Sequence, residues 1–83
     1  MENTMVCEID NVYVSLEEEA DGYIVSIYNG FRKVCTETVD AFDVYDALDV
    51  AVDMVCSMFH NIDRASIQVQ EADADWFMSR IAD

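Results

Sequence analysis

The sequence predicts an α+β domain: a small antiparallel sheet of three to four strands packed against one long helix, with a short helix at the C-terminal end. Three observations carry that expectation. Val12, Val14 and Leu16 alternate with Tyr13 and Ser15 at the period of a half-buried strand. Asn29-Gly30 separates two β-rich runs, the strongest hairpin signal in the chain. Residues 40–62, DAFDVYDALDVAVDMVCSMFHNI, repeat apolar side chains at spacings of three and four.

Taken in order, Met5, Cys7 and Ile9 alternate ahead of Val12. Residues 5–19 therefore hold either two strands turning at Asp10-Asn11 or one long bulged strand. The run Glu17-Glu18-Glu19-Ala20-Asp21-Gly22 reads as an exposed turn, since its four carboxylates repel and Asp-Gly tolerates positive φ. GYIVSIY and FRKVCTET then form a hairpin, in which a two-residue turn at Asn29-Gly30 sets Tyr28 against Phe31, Val25 against Val34 and Ile24 against Cys35. The long helix covers one face of this sheet. Aromatic side chains remain on the other face, open to a partner or a second subunit.

In the helix, Asp40 is the expected N-cap and Asp43 its N3 partner. Val44, Leu48, Ala51, Val52, Val55, Phe59 and Ile62 form the buried side, and Asp43, Asp46, Asp49 and Asp53 fall mostly opposite. Asp is a poor helix former, and positions 49 and 53 lie too deep to benefit from the helix dipole. Those acids do not serve helix stability. Residues 65–70 alternate as an edge strand would. The tail EADADWFMSRIAD reads as the final helix, with Asp73 or Asp75 near its positive end, Phe77 and Ile81 on one side, and Trp76 docking it.

With 83 residues the chain supports one domain, and 53% hydrophobic content argues against disorder. A domain this small buries roughly 60 to 65% of its unfolded surface, so its stability margin is thin. Eighteen Asp and Glu against four Lys and Arg give a formal charge of −14, beyond the usual range for a small domain. Direct binding of nucleic acid or anionic membrane is disfavoured, because both require positive charge. The expected partner is a basic protein, including one that holds DNA or RNA. Cys7, Cys35 and Cys56 are odd in number, widely spaced and set among apolar residues, so they read as buried free thiols in a reducing, cytoplasmic setting. The acidic start MENTMVCEID is unlike a signal peptide, and no 18-residue apolar run is available to span a membrane.

No catalytic arrangement is legible. The one histidine, His60, lies near a helix end; Cys56 is one turn away, which leaves two ligands missing from a zinc site. HExxH, P-loop, GxGxxG, GxSxG and EF-hand patterns are absent. Neither an enzyme nor a metal or cofactor is expected. The charge suggests instead an imitation of a phosphate backbone. Asp43 to Asp53 spans ten residues, about 15 Å of helix. Asp46 and Asp49 lie between them, and Glu17, Glu18, Glu19, Asp21, Glu37 and Asp40 extend the field. These ten carboxylates are the expected partner-binding residues.

In size, acidity, lack of a catalytic motif and mixed sheet-helix build, the chain resembles the small acidic inhibitors of bacteriophages and mobile elements, the anti-CRISPR and anti-restriction proteins, several of which imitate DNA. The resemblance spans the chain as a class and rests on no diagnostic motif. It implies a non-catalytic inhibitor in the host cytoplasm, with a CRISPR effector or restriction enzyme as target. Two alternatives stand beside it: an acidic interaction or homodimeric assembly domain, and an ordinary domain from a salt-adapted organism.

Overall fold

A computed structural model of the chain describes residues 4–81. It opens with β1 (Thr4–Ile9) and β2 (Val12–Glu19), joined at Asp10-Asn11. Both turn residues have positive φ, 47° and 70°. Asp and Asn tolerate that region, and two successive positive φ values match the twist of paired strands. Of the two readings open for this segment, the hairpin is therefore the one adopted. Glu17, Glu18 and Glu19 belong to β2 rather than to a turn, which is confined to Ala20-Asp21.

The third and fourth strands, β3 (Gly22–Asn29) and β4 (Arg32–Val39), turn at Gly30-Phe31, one residue later than expected. Asn29 pairs with Arg32, and Gly30 takes the left-handed conformation, φ 65°. The register also differs. Tyr28 faces Lys33, Val34 is an extra bulged residue, and Ile27 then faces Cys35, Val25 faces Glu37 and Ile24 faces Thr38. The bulge has a physical reason. It sets Cys35 beside apolar Ile27 and Thr36 beside Ser26, whose hydroxyls hydrogen-bond at 2.8 Å. Without the extra residue, hydroxyl and apolar side chains would exchange faces.

The long helix α1 runs Val44–Met58, shorter at both ends than the sequence suggests. Its N-cap is Asp43, not Asp40. Asp43 Oδ1 accepts from the Asp46 backbone N–H at 2.9 Å, and Asp46 Oδ2 accepts from the Phe42 N–H at 2.9 Å. This exchange satisfies two donors at the start of the helix. Ala47, Ala51, Val52 and Val55 are its buried residues, while Val44 and Leu48 are half-buried and Phe59 is the C-cap. Ile62 is buried beyond the helix. The helix lies over β2 and β3, against Val12, Val14, Leu16, Tyr23, Val25 and Ile27.

A single 3-10 turn at Arg64–Ser66 replaces most of the expected strand at 65–70. Asp63 accepts from the Ala65 N–H, and Arg64 reaches back to α1, so this segment follows the helix rather than the sheet. A three-residue strand, β5 (Gln70–Ala72), then pairs antiparallel with β1, giving the order β4-β3-β2-β1-β5. The sheet has five strands rather than three to four.

The final helix α2 (Ala74–Ile81) follows Asp73, which accepts from the N–H groups of Asp75 at 3.0 Å and Trp76 at 3.2 Å. It packs on the face opposite α1. Phe77 is fully buried there with Val6 and Tyr28, and Ile81 lies against the same cluster. Phe77 is the chief docking residue; Trp76 is 41% exposed and adds ring contacts to Tyr13 and Phe31. The aromatic face expected to be open is thus largely covered by the chain's own last helix.

Candidate protein-binding surface

The β2–β3 turn and the segment between β4 and α1 lie at the same end of the sheet, because β2 leads into one and β4 into the other. Gly22 allows them to meet: a Cβ there would stand 2.3 Å from the Val39 carbonyl oxygen, and its φ of 152° is unfavourable for other residues. The resulting open depression, about 620 Å³, is lined by Glu18, Glu19, Asp21 and Asp40 together with Tyr23 and Phe42. A neighbouring one of about 600 Å³ shares Glu18 and Tyr23 and adds Asp43, Tyr45 and Glu71. Five of the ten expected carboxylates therefore meet at one end, and Glu71 joins them.

Two large aromatic side chains stand at this acidic rim in water. Phe42 is 93% exposed and Tyr45 is 70% exposed. Tyr23 lies between the two depressions with its ring buried. Burial first, then the Glu18 and Asp43 carboxylates, push its phenol above the ordinary tyrosine range.

The other expected acids lie elsewhere. Glu17 is half-buried and faces Thr4 and Ile24 across the sheet. Glu37 lines a separate groove between β4 and α1, to which Asp53 also contributes. Asp46 lies in the first turn of α1 and accepts from the Phe42 N–H. Arg64 engages the remaining pair, Nη2 donating to Asp49 Oδ1 at 2.9 Å and Nη1 donating to Asp53 Oδ1. The row on the α1 face is present but interrupted by a cation.

Phe42 and Tyr45 were not among the expected site residues. Their signal lies in DAFDVYD, where aromatic and acidic residues interleave just before the helix. Placing the helix start at Asp40 hid it by winding Phe42 into the first turn.

The opposite end is different in charge. Arg32 and Lys33 follow the Gly30-Phe31 turn, Lys33 Nζ lies 5.9 Å from the Tyr28 ring and Arg80 lies 5.7 Å from the Trp76 ring. Phe31 stacks on Tyr13 at 5.8 Å and meets Trp76 edge-on. Among the described residues, no three His, Cys, Asp or Glu are grouped to hold a metal ion, and His60 is exposed. Nor is any described helix long and apolar enough to cross a membrane.

No family model, curated protein or solved structure matches this chain.

Proposed function

We propose that the protein is a non-catalytic inhibitor that seats its acidic end in the nucleic-acid-binding groove of a basic protein. The observation that supports this reading is the joining of Glu18, Glu19, Asp21, Asp40 and Asp43 around Phe42 and Tyr45, both held in water. Carboxylates steer a basic partner and set orientation, while buried aromatic anchors commonly supply much of the binding energy. Exposed aromatics inside a carboxylate rim combine both. The class resemblance makes a CRISPR effector or restriction enzyme the proposed target and the host cytoplasm the proposed location.

The test is competition. The tagged protein would retain a basic nucleic-acid-binding protein from host lysate at about 0.1 M salt and release it at about 0.5 M, where screening is stronger. DNA or RNA would displace it. Glu18→Gln, Asp21→Asn, Asp40→Asn and Asp43→Asn together should weaken binding by at least about tenfold, or 1.4 kcal/mol. Asn at position 43 keeps the N-cap, so the fold should persist. Phe42→Ala should weaken binding while leaving stability unchanged, given its exposure. A domain whose acids serve only salt adaptation would retain no such protein, and equal binding after both changes would likewise refute the reading.

A further inference from the structure

The two edges of the sheet are unequal. At one stands β5, three residues long; at the other stands β4, eight residues long and paired only with β3 among the described residues. No residue of β4 is fully buried. An open strand offers N–H and C=O groups to any extended chain laid beside it. Natural edges are often blunted by lysine or a bulge, and β4 has both, Lys33 and Val34, but only at its start. Residues 35–39 continue as a regular edge.

Beside that regular half lies an open groove of about 370 Å³ between β4 and α1. Cys35, Val50, Met54 and Met58 supply its apolar surface and Glu37 its charge, since Asp53 at its rim is already paired with Arg64. Methylene stems fit the first and cationic heads the second, the division made by Lys and Arg side chains. Charge along β4 also changes sign at the bulge, from Arg32 and Lys33 to Glu37, and Asp40 follows the strand into the acidic end.

Pairing β4 with a second copy is unfavourable when centred on Cys35 or on Glu37. Antiparallel pairing centred on Cys35 would bring Lys33 opposite Glu37 of the other copy. The bulge, however, has placed Lys33 on the α2 face with Tyr28, while Glu37 pairs with Val25 on the α1 face. Centring on Glu37 would oppose like charges, which is destabilising.

We propose that residues 35–39 of β4 accept an extended basic segment of the partner as a sixth strand, with Lys or Arg at alternate positions laid over Met54 and Met58 toward Glu37. This rests on the basic-partner reading and adds to it a recognition mode, strand addition, in which main-chain bonds give affinity and alternate side chains give specificity.

The test uses the full chain and an end-capped peptide of four Thr-Lys repeats, followed by amide hydrogen exchange. Exchange in residues 35–39 should slow by about tenfold or more, and Glu37→Lys should weaken binding by about tenfold. A peptide of the same charge with a central proline should not protect the strand. Equal protection by the proline peptide would overturn strand addition. Protection confined to residues 18–23 and 40–46 would also overturn it, while leaving the acidic end as the basic partner's seat. Protection of β4 without peptide, together with a dimer in sedimentation, would assign the edge to a second copy instead.

Discussion

At the scale of single residues, Gly22 decides whether the acidic end can close. A methyl group at that position would overlap the Val39 carbonyl, and β4 would have to withdraw from the β2–β3 turn. Gly22→Ala should cost about 1 to 3 kcal/mol, read as a lower urea midpoint. Three other residues set an alkaline limit. Burial raises the Cys7 thiol, with Glu71 adding to it; burial also raises the Tyr28 phenol, partly offset by a Ser26 hydrogen bond and reinforced by Glu17. Tyr23 is raised as described. Each holds its proton more tightly folded than unfolded. Their contribution is therefore complete below the unfolded values and is lost as pH rises through the folded ones. Urea midpoints should fall above about pH 9 to 10, and less steeply in Tyr28→Phe.

At the scale of elements, α2 is held chiefly by one side chain. Phe77 is fully buried and lies 4.8 Å from Tyr13 and 4.9 Å from Tyr28, ring to ring. Phe77→Ala should cost about 3 to 5 kcal/mol, a large share of a small domain's stability. Trp76 offers the readout, since release of α2 should shift its fluorescence to the red before the sheet unfolds. The existence and type of this helix were legible from Phe77 and Ile81 at i,i+4. Its docking face was not, because Trp76 and Phe77 are adjacent and only the position of Tyr13, Tyr28 and Phe31 determines which is covered. Leu48 shows the same limit in α1: it keeps the expected period yet is half-buried, whereas Ala47, absent from the expected buried side, is fully buried.

At the scale of the whole molecule, charge opposes folding. Sixteen of the eighteen acids are among the described residues and none is buried, so their mutual repulsion is open to screening. Raising salt from about 0.02 to 0.5 M should lift the melting temperature by about 4 °C or more, the shift expected from roughly 1 kcal/mol in a domain of this size. Calorimetry of the free protein measures this directly. The same salt should weaken partner binding, so stability and affinity should move in opposite directions.

The sequence by itself determined the α+β class, the amphipathic long helix, the hairpin between β3 and β4 and the acidic character of the surface. All of these follow from local periodicity, turn chemistry and composition, which need no knowledge of distant neighbours. Tertiary structure decided the bulge at Val34, the change of N-cap from Asp40 to Asp43, the capture of Asp49 and Asp53 by Arg64, and the gathering of Glu18, Asp21, Asp40 and Asp43 around exposed Phe42 and Tyr45. Apart from the cap, whose exchange between Asp43 and Asp46 is local, each depends on residues brought together from separate elements. Register is chosen by which pairing places apolar side chains beneath α1, and a cluster of charges is set by that register rather than by spacing along the chain.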